Sequence, residues 1–318
     1  MTRAPATFTA EQLEQYLQRI GYANDAVATG DARLDRLQQA VIQSPLAALT
    51  ELQRRHLAAI PWGNSALHYS THHSISTHPA CVFRKLVTRR LDGYCMENTN
   101  LLYVVLCSLG YQVYPTGGRV SNALAGGDPT DETYIYLSHM ILIVTIADKR
   151  YMVDVGFGRN APTSPLPLQE DVSATLIAPE EMRLIKTSLA ECVDQTQKFW
   201  VYQARSPGGH WTPNYSFSEM ELLPQDFGMI NFYTSQNRSS FFTQRLVCTR
   251  VILDDHLEPV GIYILSGTEV KKTLRGETEV VASFKTEEDR VRAMAEYFGM
   301  YFHEHEVQGV RGLPSQIK

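Results

Sequence analysis

Apolar positions in the first third of the chain recur at helical spacing. Leu13, Tyr16, Leu17 and Ile20 fall three and four residues apart, which puts them on one face of a helix. Thr9 with Gln12 three residues later reads as a capping box at the start of that helix. Ser44-Pro45 predicts a second start, because proline at the first helical position gives up an N–H that has no partner there anyway. Leu46, Leu49 and Leu52 follow it. Pro61, in Ile60-Pro61-Trp62, stops the element. A further helix is predicted to begin at or just after Cys95, to run through Leu101, Leu102 and Val105 to Leu109, and to end at Gly110.

From Tyr111 the pattern changes to short β-type runs. Residues 140–146 and 151–155 flank a short polar turn and predict a hairpin. Residues 162–167 hold three prolines and are expected to form an irregular loop. Residues 246–253, 260–265 and 280–284 predict further strands. Thr286 then caps a last helix bearing Val291, Met294 and Phe298. No internal repeat or low-complexity tract interrupts this order. The fold class is α+β, with a helical N-terminal part, a β-rich middle and a β-plus-helix C-terminal part.

Composition narrows the function. The 318 residues suffice for two or three domains, and 44% hydrophobic with 20% charged residues fits a folded chain. A net charge of -5 with no lysine/arginine run argues against general nucleic-acid binding. The apolar runs at 101–107 and 140–144 are too short to span a bilayer, and residues 1–10 lack the apolar core of a secretory signal. Five cysteines, with no CxxC pair, point to a reducing, cytoplasmic setting and away from a structural zinc site.

Gly93-Tyr94-Cys95-Met96-Glu97 is the segment richest in chemistry. A glycine turn leading into a helix puts Cys95 at the helix N-terminus, where unpaired N–H groups and the dipole favour a thiolate. A lone cysteine is more often a small buried apolar residue. A thiol nucleophile also needs a base, and the base an orienting group. The predicted hairpin supplies both. With its turn at Ala147-Asp148, Ile141 lies opposite Asp154, and His139 is the diagonal neighbour of Asp154 on the same face. A one-residue slip would separate them. Singly, His139 reads as a packed strand histidine and Asp154 as a solvated carboxylate near a turn; together with Cys95 they read as a nucleophile, a base and its orienter.

The chain resembles the arylamine N-acetyltransferase family. The matching pieces, in family order, are Ile60-Pro61-Trp62-Gly63-Asn64, Gly93-Tyr94-Cys95-Met96-Glu97, Thr116-Gly117-Gly118-Arg119-Val120 and Ser138-His139-Met140. Val153-Asp154-Val155-Gly156-Phe157-Gly158 follows, then Asp226-Phe227-Gly228-Met229-Ile230-Asn231 with Tyr233. The resemblance implies a Cys95-His139-Asp154 triad and three domains. These are a helical bundle over residues 1–110, a β-barrel over 111–225 and a linker with an α/β lid over 226–318. It implies ping-pong transfer from an acyl-coenzyme A, a consumed co-substrate, to an aromatic amine or hydrazine in xenobiotic metabolism. It implies no metal or prosthetic group. Acetyl, propionyl and malonyl donors all stay open, with Arg119 or Arg159 as candidate partners for a malonyl carboxylate.

By the same resemblance Tyr94, Phe157 and Arg159 line the acceptor pocket, and Tyr233 and Ser239 contact coenzyme A. Their plain alternatives are core aromatics and a loop serine. The order Cys, His, Asp also serves cysteine hydrolases and transglutaminase-like enzymes, and an inactive binding relative could keep the same fold. Two departures stand out. Leu91-Asp92-Gly93 replaces the usual Arg-Gly-Gly, with Arg90 next to it, and Thr99 stands where relatives usually have asparagine. Asp92 is expected to be a partly solvated carboxylate that disfavours a Cys95 thiolate only weakly.

Overall fold

The computed structural model describes residues 5–24, 32–125, 128, 131–170 and 172–317. Residues 1–4, part of the start read above, lie outside them. The Thr9 cap forms as expected: the Gln12 N–H donates to Thr9 Oγ1 at 3.2 Å and the Thr9 N–H to Gln12 Oε1 at 3.0 Å. Helix Ala10–Arg19 buries Leu13, Tyr16 and Leu17. Helix Pro45–Ala59 starts on its proline and buries Leu49, Leu52 and His56, while Leu46 in its first turn stays exposed. Helix Cys95–Ser108 buries Leu101, Leu102, Val104, Val105 and Leu106 as well as Glu97, Asn98 and Thr99 of its first turns, so it runs through the interior.

The strands are β1 (Trp62–Gly63), β2 (Gln112–Ser121), β3 (Tyr134–Ile146), β4 (Lys149–Val153), β5 (Leu166–Pro167), β6 (Ser173–Thr175), β7 (Glu181–Thr187), β8 (Phe199–Arg205) and β9 (Thr212–Phe217). After them come β10 (Val247–Leu253), β11 (Pro259–Ser266), β12 (Glu269–Leu274) and β13 (Glu277–Ser283). Eight form one sheet in the order β5-β4-β3-β2-β9-β8-β7-β6. β5 at one edge reaches β7 near the other, so the sheet is a nearly closed barrel. The predicted loop at 162–167 thus ends in a two-residue strand. It pairs with β4 at the sheet edge, where proline's missing donor is tolerated.

The other sheet runs β1-β10-β11-β12-β13. Its first strand, the Trp62-Gly63 dipeptide, comes from the helical third, so the N-terminal part contributes an edge to the C-terminal sheet. Helix Glu287–Phe298, capped by Thr286 as expected, packs Met294 and Phe298 with Leu246, Cys248, Leu265 and Val270 in a small core. The main core is continuous from the N-terminal helices through helix Cys95–Ser108 to the barrel interior. The chain end docks on this body: Arg290 donates to the Ser315 carbonyl at 3.0 Å, and Ser315 Oγ lies 2.7 Å from His68 Nδ1. Among the described residues no helix is long and apolar enough to cross a membrane.

Candidate active site

Cys95 is the first residue of its helix and is 4% exposed. The loop before it is held from both sides. The Gly63 N–H donates to the Gly93 carbonyl at 3.0 Å, and the Gly93 N–H to the Pro61 carbonyl at 3.3 Å. Asn98 Nδ2 donates to the same two carbonyls, at 2.6 Å to Gly93 and 3.3 Å to Pro61. Its Oδ1 lies 3.2 Å from His56 Nε2, and His56 Nδ1 lies 3.1 Å from the Tyr16 hydroxyl. Burial pushes the His56 pKa down to about 3, so the ring is neutral and relays a hydrogen-bond chain rather than a charge. Glu97, nearly fully buried, accepts from the Tyr94 N–H at 3.3 Å and pairs with Lys85 at 2.7 Å.

The hairpin has the register its turn predicted. Leu142 pairs with Val153, and Ala147 and Asp148 both take positive φ, as a two-residue turn requires. His139 Nε2 lies 2.7 Å from Asp154 Oδ2. On the other side of His139 the ladder is interrupted. Gly118 pairs with His139 but Arg119 pairs with Leu137, which leaves Ser138 as an inserted bulge residue. The Ser138 carbonyl oxygen stands 3.6 Å from Cys95 Sγ. The bulge therefore brings the hairpin against the nucleophile, and with Nε2 engaged His139 has Nδ1 for Cys95.

Asp154 is completely buried and accepts two further bonds, from the Tyr215 hydroxyl at 2.9 Å and the Gly156 N–H at 2.7 Å. Gln53 Nε2 holds the backbone carbonyl of Asp154 at 3.1 Å. Burial opposes charge on His139, but Asp154 and Cys95 outweigh it and push the ring up to about 10. The contact with Asp154 thus favours the charged form of the His139 ring. Gly156 is needed for space: a Cβ there would lie 2.7 Å from Cys95 Cα and 2.6 Å from Thr99 Oγ1. Thr99 Oγ1 is itself buried and has no hydrogen-bond partner among the described residues.

The family profile described as N-acetyltransferase matches residues 45–307, most of the chain. The chain belongs to the arylamine N-acetyltransferase family. It is an acyltransferase that acts on amines. It is 35% identical to the N-malonyltransferase FDB2 of Gibberella moniliformis, over 95% of this chain and 92% of that protein. The arylamine N-acetyltransferase of Salmonella typhimurium has the same fold, with a TM-score of 0.76 at 23% identity over 95% of this chain and 98% of that one. That of Mycobacterium marinum, solved in complex with CoA, superposes with a TM-score of 0.70 at 28% identity over 91% and 92%.

Against this family frame the remaining expected site residues scatter. Phe157 is half-buried and stacks edgewise on His139 and Tyr215, with ring centroids 5.0 and 4.7 Å away. Tyr94 is fully buried. Its hydroxyl donates to Asn231, whose Nδ2 donates to the Ile75 carbonyl at 3.0 Å, so the ring braces the loop from within. Arg159 is on the surface, 4.0 Å from Glu180, in a separate cavity of about 210 Å³ with Ile177, Pro179 and Ile262. Arg119 is also exposed. Tyr233 is exposed and stacks on Tyr136 at 4.6 Å, and exposed Ser239 bonds Asn237.

The expectation for Asp92 needs correction. It is not partly solvated but fully buried, and it accepts from the Ser65 N–H at 3.1 Å and from the Ser65 hydroxyl. A side chain at Gly63 would collide with it. Burial pushes its pKa up, opposed by Lys85 and by the Ser65 bonds. Asp92 is thus a strut between the 60s and 90s loops. The residues missed in the sequence are Tyr215, Gln53, His56 and Ser65. None stands in a motif whose spacing points to the site.

Proposed function

We propose that this enzyme moves a malonyl group from malonyl-coenzyme A through a Cys95 thioester to an aromatic amine or hydrazine, in the cytoplasm. The observation that carries the mechanism is the buried Asp154–His139 contact of 2.7 Å placed against a cysteine at a helix N-terminus. In this reading Cys95 Sγ, as thiolate beside the imidazolium, attacks the thioester carbonyl. The bond to coenzyme A sulfur breaks, and His139 gives its proton to the departing thiolate. The amine then attacks the Cys95 thioester and passes a proton to His139, and Cys95 leaves as thiolate again. Asp154 keeps the ring oriented and charged. Its own orientation is held by Tyr215 and Gly156. Malonyl is chosen because the N-malonyltransferase shares more of its sequence with this chain than the arylamine N-acetyltransferases at 24–26% do. The cytoplasmic assignment is supported by five unpaired cysteines.

The test is to mix the enzyme with malonyl- or acetyl-coenzyme A without acceptor and weigh the intact protein. A malonyl adduct on Cys95, discharged by an added aromatic amine, is the expected result. An adduct from acetyl-coenzyme A alone would replace the donor, and an adduct elsewhere would overturn the mechanism.

A further inference from the structure

A cavity of about 330 Å³ lies away from Cys95, where the end of helix Ala10–Arg19 meets the C-terminal sheet and helix. Arg19, Arg90 and Arg250 line it, together with Asn24, Ala59 and Gly299, and among the described residues no carboxylate does. The chain as a whole is acidic, and several of its other arginines have acidic partners: Arg54 with Glu258, Arg89 with Glu306, Arg205 with Glu181 and Arg290 with Glu287. The three cavity arginines have no acidic partner among the described residues. Arg19 spends its Nε on the Leu86 carbonyl at 3.1 Å, and Arg250 lies over the Tyr263 ring with its own Nε buried and without a hydrogen-bond partner among the described residues. Burial, and then Arg90 and Arg250, depress the Arg19 pKa to about 9, so the three charges repel one another across the space.

Two helix C-termini, at Ile20 and Gly299, also line the cavity. Each supplies roughly half a negative charge. Against three guanidinium groups, about two positive charges remain uncompensated. Guanidinium forks offer only donors and match tetrahedral oxyanions in two-point contacts.

We infer that this cavity is a binding site for a small phosphorylated anion that ties the N-terminal helices to the C-terminal sheet. Arg90 and Arg250 present the outer donors and Arg19 the floor. Binding neutralises the repulsion and stabilises the fold by mass action. The site is independent of the donor proposed above.

Calorimetry and thermal melting of the full chain with inorganic phosphate, pyrophosphate and ADP test this, with sodium chloride at matched ionic strength as the control. Saturable binding and a rise in Tm are expected with pyrophosphate, and equal binding of ADP would make a nucleotide the source of the phosphates. Arg90→Gln, at an exposed position, and Arg250→Gln should each weaken binding roughly tenfold or more, the scale of a lost charge-assisted contact. Binding that survives both substitutions unchanged, or no binding by any of the three anions, would overturn the inference. Should Arg250→Gln fail to fold, Arg90→Gln alone decides.

Discussion

His139 and Asp154 are placed by regular strand pairing, whereas Cys95 is placed by side chains that bond to loop backbone. On the base side, the β3–β4 register and a turn of two positive-φ residues set the diagonal contact, and one bulge at Ser138 turns it toward the sulfur. On the nucleophile side, Asp92, Asn98 and Glu97 are buried polar groups, each bonded to a main-chain amide or carbonyl of the loops around Cys95. A hairpin tolerates substitution at most positions because its bonds are main chain to main chain. A loop held by buried polar side chains does not, because each lost partner leaves an unsatisfied group. The base side should therefore answer mutation chiefly in chemistry, and the nucleophile's supports chiefly in stability.

The largest effect tests the premise that both halves converge on one atom. Cys95→Ser should abolish transfer, roughly a thousandfold or more in thiol release from the donor, while the melting temperature and circular dichroism stay near those of the parent. Turnover within tenfold of the parent would remove Cys95 from the chemistry.

Asp154→Asn comes next and probes the base side. Activity should fall roughly a thousandfold to ten-thousandfold, since the ring loses the group that orients and charges it. The parent's own pH dependence follows from His139. Its folded value of about 10 lies above the ordinary 6.5, because Asp154 and Cys95 overcome the effect of burial. The stability it contributes is therefore complete below about pH 6.5 and lost as pH rises through about 10. NMR of the His139 ring should show imidazolium at pH 8 in the parent and a neutral ring in the variant. A neutral ring in the parent would break the argument.

Asp92→Asn sharpens the contrast from the other side. It loses the charge that Ser65 bonds twice, costing about 1.5–3 kcal/mol of stability, and the Tm should drop by several degrees. Any activity lost should return on cooling. A variant with the parent's Tm but a greatly altered rate of Cys95 alkylation would show that Asp92 acts electrostatically on the thiol after all.

Tyr215→Phe is expected to have the smallest effect. It removes one of three bonds to the Asp154 carboxylate, costing about 1–1.5 kcal/mol, so roughly a tenfold loss of rate. Its Tm should change little, because the ring keeps its stacking on Phe157 and Tyr202. A large fall in Tm without loss of rate would mean that Tyr215 belongs to the core and not to the base.

Much of this molecule is legible in its sequence, and the reason is local physics. Capping at Thr9 and Thr286, the proline start at Pro45, the turn at Ala147-Asp148 and the two-residue period of the strands act over a few residues, so their spacing is visible in the chain. The alignment of His139 with Asp154 follows from that turn alone. Tertiary structure decided what depends on residues brought together from distant positions. Asp92 looks like a surface carboxylate until Ser65 and Gly63 close over it from 27 and 29 residues away. Tyr215 reaches Asp154 across 61 positions, because β9 pairs with β2, which pairs with β3. Arg19, Arg90 and Arg250 are ordinary arginines in sequence, and only packing sets three like charges around one space. Burial turns a solvated charge into a strut or a site, and it depends on partners that no local pattern names.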